Sequence, residues 1–134
     1  MFELTERNLP DFRRRFMFYD GLIREVAIKY APGRAARVTL SVRDGEASDL
    51  GGWVNLVLEV ADVEEIKHME SKGTCVVISW GVGFGFYNGC IYIDLCPQAE
   101  EPVSLEEFRR SNLLIVGKRC YWSVLPYTDP QGPY

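Results

Sequence analysis

The chain contains a single histidine, His68, and that scarcity removes most of the familiar ways of building a general base. A catalytic dyad needs a base held by a third group and aimed at a nucleophile. No motif around His68, which stands between Lys67 and Met69, supplies one, so it reads as a surface residue. Runs of about 20 apolar residues are missing, which excludes a transmembrane helix. Residues 1–8 mix charges with single apolar residues, and Arg13-Arg14-Arg15 precedes no leucine-rich stretch. No signal peptide is therefore expected, and the expected location is the cytoplasm. Basic residues do not dominate: 15 Lys and Arg stand against 19 Asp and Glu, a net charge of -4. That balance argues against a nucleic-acid partner, which needs a basic face to displace phosphate counterions.

The four cysteines (Cys75, Cys90, Cys96 and Cys120) lack the close pairing of zinc ligands. On one strand Cys90 and Cys96 would lie roughly 20 Å apart, at ~3.3 Å per residue. They are expected as reduced thiols filling apolar space. Asp44, Glu46 and Asp49 lack calcium-loop spacing and read as a solvated loop. No metal and no cofactor is expected, and nothing points to an enzyme.

What is present is an ordinary globular composition, 47% hydrophobic and 25% charged over 134 residues, the size of one domain. The domain is expected over 1–125, with a proline-rich tail over 126–134. Phe12 and Phe16, four apart after Pro10, predict a helix over Leu9 to Met17, its three arginines on the solvated face and its end at Tyr19-Asp20-Gly21. The period then switches to two. Val26, Ile28 and Tyr30 mark one strand, and Val38, Leu40 and Val42 a second with polar residues between them. Trp53 to Val60 is a third. Asp62 and Glu65 have capping-box spacing, which predicts a short helix anchored by Val63 and Ile66. Ser104 and Glu107 predict a later one with Leu105 and Phe108 inward. Leu113 to Val116 and Cys120 to Leu125 read as two strands joined by a turn at Gly117-Lys118.

The most informative stretch is 74–95. Val76, Ile78, Trp80, Val82, Phe84 and Phe86 share one parity, which is too long for one unbroken strand, so a bend is expected near Gly81. Asn88-Gly89 predicts a type I′ hairpin, because both central residues of that turn need positive φ. Register follows: Tyr87 faces Cys90, Phe86 faces Ile91, Gly85 faces Tyr92, Phe84 faces Ile93, Gly83 faces Asp94 and Val82 faces Leu95. The phenylalanines and isoleucines form a core face. The opposite face carries Gly83 and Gly85 against Tyr92 and Asp94. Either Tyr92 lies across Gly85 and the glycines let the sheet coil there, which is the preferred reading, or the strip is a shallow groove edged by Tyr87, Tyr92 and Asp94. Trp53, on the polar parity of its strand, is a separate interface candidate. The tentative binding residues are thus Trp53, Gly83, Gly85, Tyr87, Tyr92 and Asp94. Trp80 and Trp122 read as core.

These features predict an α+β fold: a curved antiparallel sheet of roughly six to eight strands, as a sandwich or partial barrel, with short flanking helices. The pattern of Phe18-Tyr19-Asp20-Gly21-Leu22-Ile23, the strands Val38 to Val42 and Trp53 to Val60, Gly85-Phe86-Tyr87-Asn88-Gly89 followed by Ile91-Tyr92-Ile93-Asp94-Leu95, and Gly117 to Trp122 resembles small β-rich bacterial proteins, some of them immunity proteins of toxin systems. The resemblance implies a non-enzymatic protein-binding module that blocks a toxin-like partner by surface complementarity. The alternative is a small-ligand binder using the interior or mouth of the curved sheet. A second copy of the chain is a further candidate partner, and a membrane is not.

Overall fold

A computed structural model of the chain describes residues 1–48, 50–69, 77–78, 81–97 and 104–127. Period-two alternation becomes strand, and the strands run further than the alternation does. Among the described residues there are eight: β1 (Phe2–Leu4), β2 (Phe16–Lys29), β3 (Ala35–Asp44), β4 (Trp53–His68), β5 (Val77–Ile78), β6 (Gly83–Tyr87), β7 (Cys90–Asp94) and β8 (Leu113–Pro126). Helix α1 (Leu9–Arg15) precedes β2, and α2 (Leu105–Arg109) precedes β8. All pairings are antiparallel. The sheet order is β5-β2-β3-β4-β8-β7-β6, with β1 beside the second half of β8.

Chain length shows that this sheet curls. The path from β5 to β6 crosses six interstrand steps, about 29 Å if flat at ~4.8 Å each. Yet Ile78 on one edge and Gly83 on the other are only five residues apart in sequence, a reach of at most ~18 Å at ~3.3–3.6 Å per residue. The edges must approach each other, and the sheet forms a half-barrel with the expected α+β character. Gly81, at φ 84°, turns the chain where the bend was expected.

The concave side holds the main core. Val38, Leu40 and Val42 of β3 are wholly buried beside Leu56 and Leu58 of β4 and Ile93 and Ile115 of β7 and β8. Helix α1 closes one mouth. Phe12 lies 5.1 Å from the Phe16 ring, 5.9 Å from Phe18, 5.4 Å from Phe84 and 5.7 Å from Trp122, centroid to centroid. One phenylalanine thus joins β2, β6 and β8. Arg13 donates from Nη2 to the Phe84 carbonyl, covering a polar group on an edge strand that would otherwise invite pairing with another chain.

Several expectations need correction. The helix over Leu9 to Met17 stops at Arg15, and Phe16 already opens β2. Tyr19-Asp20-Gly21 lies inside that strand, where Asp20 takes φ 64° and the register against β3 shifts. The arginines are not all solvated. Arg15 Nε and Nη2 donate to the Asp44 carboxylate at 2.9 and 3.0 Å, and Arg13 is partly buried. Asp62 opens no helix among the described residues. β4 continues to His68, with Asp62 at φ 52° and a register shift between Val63 and Glu65. Aspartate visits this left-handed region more readily than most residues, so the residue read as a helix cap is a bulge residue.

The two strands expected around Gly117 are one strand, β8, without a turn. Gly117 faces Val63 across the bulge, and a Cβ there would stand 2.4 Å from Val60 Cγ1 and 3.0 Å from the Ala61 carbonyl. The glycine serves close approach of two strands. Pro126, placed in the tail, is the last residue of β8. Expectations for Asp49, Trp80, Cys75, Val76, Lys72-Gly73 and residues 128–134 lie outside the described residues.

Candidate functional site

The hairpin forms in the expected register. Asn88 and Gly89 have φ 54° and 76°, and all five pairs from Tyr87↔Cys90 to Gly83↔Asp94 are present. Pairing between these strands ends there, one step before Val82 and Leu95. Phe84, Ile91 and Ile93 are buried in the main core, and Phe86 is packed against it.

The opposite face is covered. Ser104 caps α2, its Oγ accepting from the Glu107 N–H at 3.2 Å. The helix then lays Phe108, wholly buried, over Gly85. A Cβ on Gly85 would sit 2.8 Å from Phe108 Cε2 and 2.7 Å from Tyr87 Cε2. Tyr92 rests edge-on to Tyr87 and Phe108, at 5.5 and 6.0 Å. The aromatics over Gly85 are therefore Phe108 and Tyr87 rather than the expected Tyr92, and the groove reading has no open strip to use: Tyr92 and Asp94 are only 4% and 1% exposed.

Asp94 holds the joint between α2 and β8. Its Oδ1 accepts from the Cys96 backbone N–H at 2.9 Å and from the Ser111 hydroxyl. Burial pushes its carboxyl pKa up, and the Ser111 bond, the Cys96 bond and the Lys67 charge offset that only in part. Asp44 differs. Burial also pushes it up, but the Arg15 bond, the Glu46 N–H and the Arg15 charge outweigh burial and leave it below its ordinary value. The native chain keeps the Asp94 proton through a pH window above the unfolded value of about 3.9. The stability associated with that proton is full below the window and is lost as pH rises through it. Asp94→Asn should therefore gain stability relative to the parent as pH rises from acid through the window, measured by urea unfolding at several pH values. A difference between the two proteins that is flat in pH would refute this reading.

The Cys120 thiol is pushed up to about 12 by burial, which makes it a poor nucleophile at neutral pH.

Trp53 belongs to a different surface. Odd-numbered residues of β3, and of β4 as far as Ala61, point to the convex side, and there Met17 of β2 pairs with Arg43 of β3, which pairs with Trp53 of β4. The Arg43 guanidinium lies 5.2 Å from the Trp53 ring centre, and the Tyr127 ring lies 6.0 Å from it on the other strand's end. Leu125 faces Asn55, two residues along β4 from Trp53. Met17 and Leu125 are 52% and 51% exposed, and Arg43 is exposed as well. Four strands thus carry a continuous row of Met, Arg, Trp, Tyr and Leu, neighbours across strands at ~5 Å. Of these only Trp53 stood out in the sequence. Arg43 lies on the outward parity that the alternation of β3 predicts but nothing there marks it as a neighbour of Trp53, and Met17 was expected at the end of a helix, whereas it belongs to β2.

A third feature lies at the mouth beside α1. Phe2, Asn8, Asp11, Phe12, Arg15, Glu46 and Trp122 line a half-open cleft of ≈ 270 Å³. The concave interior behind it is filled by aromatic and aliphatic side chains.

No family model matches the chain, and neither the curated proteins nor the solved structures provide a match.

Proposed function

We propose that the protein is a non-enzymatic binding module that blocks a toxin-like protein partner, in the manner of an immunity protein, through the convex row Met17–Arg43–Trp53–Tyr127 with Leu125. The observation that carries this reading is the row itself. Tryptophan, tyrosine, arginine and methionine are the residue types enriched at the centres of protein interfaces, and here a rigid sheet holds them in one line. Such a surface needs no cleft and no turnover to act. The acidic balance of the chain supports a partner of opposite net charge, since complementary fields speed encounter.

The test is co-expression of the chain with the toxin domain encoded beside its gene, in a strain that the toxin arrests. The expected result is restored growth and a stoichiometric complex on co-purification. Absence of any such neighbouring gene, or arrest unrelieved by the chain, overturns the reading.

A further inference from the structure

We propose that the mouth cleft between β1, α1 and β8 is a second binding site, for a small planar organic cation of the guanidinium class. The reasoning is independent of the convex row. Asn8, Asp11, Phe12 and Arg15 fall at i, i+3, i+4 and i+7, so one side of α1 forms a wall. Phe2 forms the facing wall, and Trp122 lies between them, its ring 4.8 Å from Phe2 and tilted 30° to it. Phe2 is 61% exposed and lines the cleft, so its ring is accessible to whatever enters. Aromatic faces attract cations through their quadrupoles, and planar guanidinium groups also stack on them.

The cleft already demonstrates this chemistry on itself. The Arg15 guanidinium lies 5.1 Å from the Trp122 ring centre and 4.9 Å from that of Phe16. Buried Asp44 takes its charge through two hydrogen bonds. The carboxylates left at the rim are Asp11 and Glu46, whose side chains are 78% and 68% exposed. Asp11 pairs with Arg14 of its own helix, and Glu46 lies 2.8 Å from Arg15. The Asp11–Arg14 pair is exposed on both sides, hence weak and exchangeable, and Arg15 keeps its two bonds to Asp44 without Glu46, so an entering cation can take over either carboxylate. With Asp44 balancing Arg15, the lining retains net negative charge. The volume, just below the usual range for ligand pockets, suits a molecule the size of propylguanidinium.

The test is titration of propylguanidinium into the ¹⁵N-labelled full chain, followed by NMR, with its neutral isostere propylurea as control. The expected result is saturable shifts at the Trp122 indole N–H, Phe2 and α1. They should weaken several-fold in Asp11→Asn/Glu46→Gln and with added salt, and propylurea should give none. Both substitutions are at exposed positions, so the variant's unperturbed spectrum reports an intact fold. Shifts that do not saturate, that map elsewhere, that propylurea reproduces, or that the double variant leaves unchanged overturn the site. Failure here leaves the convex row untouched, because no residue is shared.

Discussion

Replacing Phe12 with alanine should cost about 3–5 kcal/mol of stability, the range for truncating a buried phenylalanine. Three strands and a helix meet on this one ring. Phe16 and Phe18 come from β2, Phe84 from β6 and Trp122 from β8, and β2 and β6 lie near opposite edges of the curled sheet. Removal leaves a void among rigid rings that cannot close without moving an edge. The loss should appear as a lower urea midpoint with little change in slope, together with faster hydrogen exchange in β6 and β2. A cost below about 1 kcal/mol would mean that α1 merely rests on the mouth.

Replacing Phe108 with alanine should cost a similar amount, about 3–5 kcal/mol, on the other face. Phe108 is wholly buried on the outer side of β6, β7 and β8, in a cluster with Tyr92, Leu114 and Val116. Gly85 has no side chain to fill the space left behind, and Tyr87, the strand's other cover over it, lies 5.8 Å from the Phe108 ring and would have to leave its own packing to do so. The Phe12 and Phe108 clusters lie on opposite faces of the sheet and share no side chain, so the two costs should add within about 0.5 kcal/mol. Near-neutral behaviour of Phe108→Ala would show that the glycine strip exists for curvature alone.

The sequence was most legible where pattern and turn chemistry agree. Asn88-Gly89 fixed a complete five-pair register, and Val38, Leu40 and Val42 fixed a buried face, since a one-residue slip would have reversed every side chain. Legibility failed at the bulges. Along β4 the inward residues run Val54, Leu56, Leu58 and Val60, then Val63 and Ile66. After Val60 the spacing becomes three, which reads as a helix, and Asp62 followed by Glu65 imitates a cap. Along β8 the inward parity changes between Ile115 and Cys120, which reads as a turn at Gly117. Both faults arise where β4 and β8 cross closely, and no local pattern announces a bulge shared by strands about 50 residues apart. The convex row was lost for the same reason. Trp53 was visible by itself, whereas Met17, Arg43, Leu125 and Tyr127 become its neighbours only through long-range register.

The decisive measurement is the affinity of the toxin domain for Trp53→Ala and for Leu125→Glu, by calorimetry, beside the parent chain. Leu125 is half exposed, so its replacement should leave the fold intact and isolate the surface. If the convex row receives the partner, Trp53→Ala should raise Kd about 30-fold, corresponding to ~2 kcal/mol at a central interface residue, and Leu125→Glu should weaken binding as well, with Tm of the free Leu125→Glu chain unchanged. Parent-like Kd for both variants would place the partner on another face.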